Sequence, residues 1–257
     1  LGDSAQSFPL ALVGGGILPG YNTFTPTRVN LVSISYVRVF SSNQVNEVRF
    51  GYNRFAEDFL PEDREFDPAS IGINTGVAAR DTGLPFMRFS GLTALGSTLS
   101  VPRGRKDTNW QFIDSFSWKF KRHEMKFGYE FRRTSINSFF DNGYRGRIDF
   151  RYGDIQTSLY NFLEGIPYGG RQAKGDSDRQ TFQNSHAGYF QDSYRMNPKF
   201  TFNYGVRWDY YGVIGEKSGL LSNFDATNGL RMIGDASLPR LYDRDFNNFA
   251  PRASLAY

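Results

Sequence analysis

Seven charged side chains, Glu47, Arg49, Lys126, Glu130, Arg132, Arg207 and Asp209, all fall on the polar side of runs that alternate with apolar residues. A face carrying both signs of charge can hold another folded element by ion pairs or guide a polar solute past it. It does not make a catalytic centre. The two histidines, His123 and His186, stand about 60 residues apart with no ligand spacing around them, so they read as surface or interface residues rather than metal ligands. Cysteine is absent, which excludes a disulfide framework, a thiolate metal site and a cysteine nucleophile. The clusters Glu62-Asp63-Arg64-Glu65 and Asp243-Arg244-Asp245 mix charge signs as solvated loops do. The run Asp225-Ala226-Thr227-Asn228-Gly229 offers oxygen ligands for calcium but lacks the length and terminal Glu of an EF-hand loop. The chain is read as a non-enzyme with no cofactor and no metal.

The elements that position these charges are strands. In Val45–Phe55 one side carries Val48, Phe50 and Tyr52 against Glu47, Arg49, Gly51 and Asn53. In Glu124–Arg132, Met125, Phe127, Tyr129 and Phe131 oppose Lys126, Gly128, Glu130 and Arg132. From Phe200 to Tyr210, Phe202, Tyr204, Val206 and Trp208 alternate with Thr201, Asn203, Gly205, Arg207 and Asp209. Each run follows a partner strand and a tight turn: Thr27–Phe40 with Ser41–Gln44, Asn109–Phe120 with Lys121–His123, and His186–Met196 with Asn197–Lys199. Long connections over 56–108, 133–185 and 211–247 separate the three hairpins, and Asn248–Tyr257 begins a seventh strand. Short and long connections therefore alternate, and the short turns should share one rim. Within the second long connection Asp154 caps a short helix with Ile155, Leu159, Phe162 and Leu163 on one face, stopped by Gly165 and Pro167.

Composition agrees with a membrane wall. Of 257 residues 17% are aromatic, including 25 Phe and 15 Tyr, while only 39% are hydrophobic. Aromatic side chains favour strands and gather at membrane–water interfaces. No run reaches the roughly eighteen apolar residues of a membrane-spanning helix, so a bilayer could be crossed only by a closed barrel, in strands of roughly nine to eleven residues. The net charge of +4 is spread among both signs and gives no nucleic-acid footprint. The opening at Leu1 is read as a cut end with any signal peptide outside it. The fold class is thus all-β, an antiparallel transmembrane β-barrel wall with long extracellular loops, in the bacterial outer membrane and in contact with its lipid. A soluble lipocalin-like barrel would alternate too, but its interior could not hold Trp110, Trp118 and Trp208 with so many other rings.

The hairpins also repeat. Phe112-Ile113-Asp114-Ser115-Phe116 matches Phe190-Gln191-Asp192-Ser193-Tyr194, and each return strand holds an aromatic–Gly–apolar step at Gly51, Gly128 and Gly205. Wall curvature explains a strand glycine most simply, with close approach of a neighbour as the alternative. Strict alternation puts Asp114 and Asp192 among aromatic rings. A bulge beside each, turning the carboxylate to the polar face near Arg207 or Lys126, is the expected relief; a position in the headgroup zone is the alternative.

Gly188-Tyr189-Phe190-Gln191-Asp192-Ser193-Tyr194 followed by Phe200–Asp209 resembles a hairpin of TonB-dependent outer-membrane transporters, with Ser193-Tyr194 standing where an acid and Trp are usual. Val45–Arg54, His123–Glu130 and Asn247–Arg252 are similar to the Oar-like branch. The resemblance implies a segment of a barrel of about twenty-two strands, whose plug domain and remaining strands lie outside residues 1–257, coupled to a TonB-type energy-transducing complex. The seven lumen-facing charges would then touch the plug before any substrate. The unidentified substrate, a metal chelate, oligosaccharide or peptide, would meet loop residues Phe86, Arg88, Phe89, Tyr144, Arg145 and Arg147. A passive porin or surface-adhesion barrel without energy coupling is the alternative.

Overall fold

A branched or aromatic side chain at every second position suits a pleated, half-solvated sheet, and these runs build eight long strands. The structure is a computed structural model; it describes residues 2–8, 18–235 and 238–257, and Leu1, read above as a cut end, lies outside them. The long strands are β1 (Gly2–Phe8), β2 (Thr23–Ser41), β3 (Gln44–Pro61), β4 (Arg103–Phe120), β5 (His123–Phe140), β6 (Arg179–Asn197), β7 (Phe200–Tyr211) and β8 (Phe249–Ala256), side by side in chain order. Two-residue turns close β2 on β3, β4 on β5 and β6 on β7, which makes each pair antiparallel. Contacts between the hairpins run the same way: Asn43, Asn46 and Gly51 of the first meet Lys119, Asp114 and Gln111. Arg122, His123 and Ile136 likewise meet Arg195, Asp192 and Thr181.

Two expectations need correction. Besides the six hairpin strands and β8, β1 pairs with β2 from Gly2↔Val29 to Phe8↔Thr23. The strands are also far longer than a bilayer requires, with 18 residues in each of β3, β4 and β5 and 19 in β2 and β6. Residues assigned to loops, such as 56–61, 103–108 and 133–140, continue the strands, because Phe59, Phe139 and Phe140 prolong the pattern and Arg103 lies over the Phe59 ring at 4.2 Å. The turns leave one end of the strands and the long connections the other, as expected.

Contacts divide the chain into two compact units. One holds the described residues of Leu1–Val29 with Phe55–Lys106 and Asn137–Asp178; the other holds Asn30–Arg54, Asp107–Ile136 and Arg179–Tyr257. The first unit has its own small core. Phe86–Arg88 runs parallel to Arg147–Asp149, which pairs antiparallel with Gly169–Arg171. Over this sheet Phe89 and Phe150 stack at 5.8 Å, and Phe162 of helix α1 (Ile155–Leu163) meets both edge-on. Asp154 caps α1 by accepting from the Thr157 N–H at 2.7 Å, as its sequence requires. The packing is narrower than the predicted stripe: Phe162 is seated, whereas Ile155, Leu159 and Leu163 are exposed.

Candidate functional site

The second unit carries the predicted charges, because strand alternation puts them all on one polar face. Glu130 on β5 is their centre. It accepts from Gln111 of β4 at 2.8 Å and from Arg132 at 2.9 Å, and Arg207 of β7 lies 3.9 Å away. Arg207 also forks onto Asp209 at 2.8 Å. Glu130, Arg132, Arg207 and Asp209 line a shallow depression together with Ser185, Ala187 and Tyr211. Lys126 lines a neighbouring one with Tyr189, Gln191 and Arg207. Glu47 and Arg49 form a separate couple on β3, at 2.6 Å, with Ser35 donating to Glu47. Such half-exposed pairs stabilise by only about 0–1 kcal/mol each, so they order the face more than they hold the sheet.

The strand glycines make room on this same face. A Cβ on Gly128 would stand 2.6 Å from the Tyr189 ring and 2.7 Å from the Asp114 carbonyl oxygen. Tyr189 therefore lies across β5 and donates to Ser115 on β4 at 3.2 Å. Close approach, the alternative to curvature, governs Gly128. At Gly51 a Cβ would meet Gln111 at an ordinary 3.5 Å, so the same argument does not extend to it.

The loop candidates lie in the first unit, where they are engaged by other residues of that unit. Arg88 and Arg147 both pair with Asp149, at 2.5 and 2.9 Å. Burial alone would raise the Asp149 carboxyl, but the two guanidinium groups outweigh it and hold the group below the usual range. Arg145 is buried against Asp63 at 2.8 Å, Phe89 belongs to the core, the Phe86 N–H donates to the Gly146 carbonyl, and the Tyr144 carbonyl accepts from Gln172. Nearby, Arg80 forks onto Asp141 at 2.6 Å and onto Asp178 at 3.0 Å. Burial, reinforced by the neighbouring Asp141 carboxylate, pushes Asp81 up to about 7 against the pull of Arg80 and Arg145. Asp225 is a turn residue: its carboxylate accepts from the backbone N–H groups of Thr227 and Asn228, both at 2.7 Å. Those bonds, both on Oδ1, close the hairpin of Ser222–Asp225 with Gly229–Met232, and Oδ2 accepts from Asn228 Nδ2 at 3.0 Å.

Long antiparallel strands in chain order, tight turns at one end and one face of rings are the features of an outer-membrane wall. A family model described as an outer membrane beta barrel domain matches residues 2–257. The chain belongs to this family. Comparison with curated proteins and with solved structures gave no match. No helix among the described residues is long and apolar enough to cross a membrane. The family match places this barrel domain in the bacterial outer membrane.

That placement sharpens the problem of the two carboxylates on the aromatic face, and the bulge expected there is absent. The β6–β7 ladder runs in register through Tyr204↔Asp192, and its one shift lies at Phe200/Thr201. Asp192 thus stays beside Phe190 and Tyr194, 2% exposed. One of its oxygens is satisfied where it stands: the Tyr204 hydroxyl donates to Oδ2 at 2.9 Å and His123 Nδ1 lies 2.5 Å from it, with the imidazole stacked on Tyr194 at 4.5 Å, while Oδ1 is buried without a partner. Asp114 keeps its face too, accepting from Asn46 Nδ2 at 2.5 Å. One solution is used twice, but it is a polar partner on the next strand. Asp192 lies five positions from Asn197, roughly 13 Å of height on a tilted strand, which is about the middle of a 25 Å apolar band measured from the short turns. The sequence reads His123 as a surface or interface residue without naming this partner; the signal for it is its place one residue past a turn whose neighbour strand carries the acid.

Proposed function

We propose that this barrel domain is a wall segment of a TonB-dependent outer-membrane transporter, in which further strands close a larger barrel around a plug. The substrate is a scarce or bulky solute, such as a metal chelate, an oligosaccharide or a peptide, and no bond of it is made or broken. The carrying observation is the Glu130 network. Opposite charges fastened by Gln111, Arg132, Arg207 and Asp209 on the polar face give a preorganised surface suited to a folded polar partner in the lumen. A porin lumen filled only with water gains nothing from binding such a partner. The hairpin resemblance of 188–209 points the same way, and an open sheet edge is not viable in lipid, so β1 and β8 need neighbours. The test is uptake by cells carrying the intact protein, with and without TonB and the proton-motive force, over a panel of labelled chelates, oligosaccharides and peptides. Energy-dependent uptake of one class is expected. Passive, TonB-independent permeation would overturn the reading in favour of a porin.

A further inference from the structure

The aromatic face ends, at the short turns, in cations laid over rings. The Arg38 guanidinium lies 4.8 Å from the Phe40 ring centroid, and Lys121 Nζ 5.3 Å from that of Phe120. Phe40 in turn meets Phe116 at 6.2 Å, and Phe120 meets Trp118 at 5.5 Å, so both cations sit on one aromatic margin of the second unit. Both are exposed, and among the described residues neither has a carboxylate partner. The acids of this margin are withdrawn: Asp192 is closed in by His123 and Tyr204, Asp114 is bound by Asn46, and Glu124 pairs with Lys119 at 3.7 Å. Lys121 also holds φ at 55°, a left-handed conformation that favours Gly or Asn and that a lysine adopts at some cost.

We propose that this margin binds the headgroup phosphates of anionic phospholipids, with Arg38 and Lys121 as its phosphate-contacting cations. A cation stacked on an interfacial ring is held at headgroup height while its stem covers apolar surface. A zwitterionic lipid offers a phosphate but also an ammonium that the margin repels, whereas phosphatidylglycerol offers the anion alone. The site lies on the lipid side of the wall, independent of the polar face, so it stands or falls separately from the transport reading.

The experiment is native mass spectrometry of the intact protein in detergent, titrated with phosphatidylglycerol or phosphatidylcholine. A cation near a membrane surface contributes about 1 kcal/mol, so R38Q and K121Q should each weaken retention of phosphatidylglycerol at its own position about fivefold, and the double variant at both, with phosphatidylcholine unchanged. R38K/K121R should restore the preference, which separates loss of charge from loss of fold. Wild-type protein that binds both lipids equally would overturn the proposal. So would a loss as large in K199Q, a turn lysine outside the margin, because it would reduce the effect to general rim charge. Displacement of the lipid by an equal concentration of inorganic phosphate would also overturn it, in favour of a simple anion site.

Discussion

Replacing His123 with Phe isolates the interaction that lets a carboxylate remain among the rings of the aromatic face. Phe keeps a ring to stack on Tyr194, whose centroid lies 4.5 Å from that of His123, and removes only the nitrogen 2.5 Å from Asp192. Asp192 is left with the Tyr204 hydroxyl alone, since its second oxygen is buried and already without a partner. A charge-assisted bond contributes about 1.5–3 kcal/mol, and a buried charge stripped of one partner loses more than the bond itself. H123F should therefore destabilise by about 2–4 kcal/mol. D192N preserves shape and removes the charge, so in its background H123F should cost about 1 kcal/mol or less, a coupling of about 2 kcal/mol. Reversible urea unfolding of the intact barrel from lipid vesicles, followed by fluorescence, measures all four corners of the cycle. An H123F cost below about 0.5 kcal/mol, or strict additivity with D192N, would show that Asp192 does not depend on the imidazole.

Three further outcomes are expected. Phe202 shares its face with Tyr204, their rings 5.4 Å apart, and Phe202→Arg should cost roughly 2–4 kcal/mol near the midplane; a neutral effect on folding into vesicles would reverse the assigned faces. Gly128→Ala places a Cβ 2.7 Å from the Asp114 carbonyl oxygen, so it should destabilise by about 1–3 kcal/mol in the same titration, and an unchanged midpoint would return the glycine to a curvature role. Asp81, raised to about 7 in the fold, binds its proton more tightly folded than unfolded. Its contribution to loop stability is therefore full below about pH 4 and lost as pH climbs to about 7. Loop cleavage by an added protease, taken as the ratio of wild type to D81N, should rise from pH 5 to pH 8, and a flat ratio would deny the shift.

The wall was legible because period-two patterning is a local property: each residue's face follows from its neighbours at i±2, and Glu130, Arg207 and the rest fell on the side their spacing required. Strand ends were less legible. Phe59 and Phe139 continue the alternation among charged and turn-forming residues, so composition marks these stretches as loop while cross-strand pairing keeps them in the sheet. The loop residues were the least legible. Arg88 and Arg147 stand 59 positions apart and share Asp149, and nothing in either segment announces the parallel pairing that joins them. Arginine in a loop suggests a ligand only until its carboxylate is located.

The misplaced bulge has a physical cause that bears on reading such walls generally. Lipid on one face was treated as a uniform penalty for each carboxylate, to be removed by moving the side chain. A cross-strand neighbour on the same face lies about 4.5–5.5 Å away at the Cβ atoms, close enough for Tyr204 or Asn46 to donate without disturbing the ladder. A bulge would forfeit backbone bonds that lipid cannot replace, whereas a partner side chain leaves every one intact. The cheaper course is thus to keep the ladder and recruit the neighbour. In the motif shared by 112–116 and 190–194 the acid and its donor belong to different strands, so the pair becomes visible only once register is known: 46 against 114, and 192 against 123 and 204.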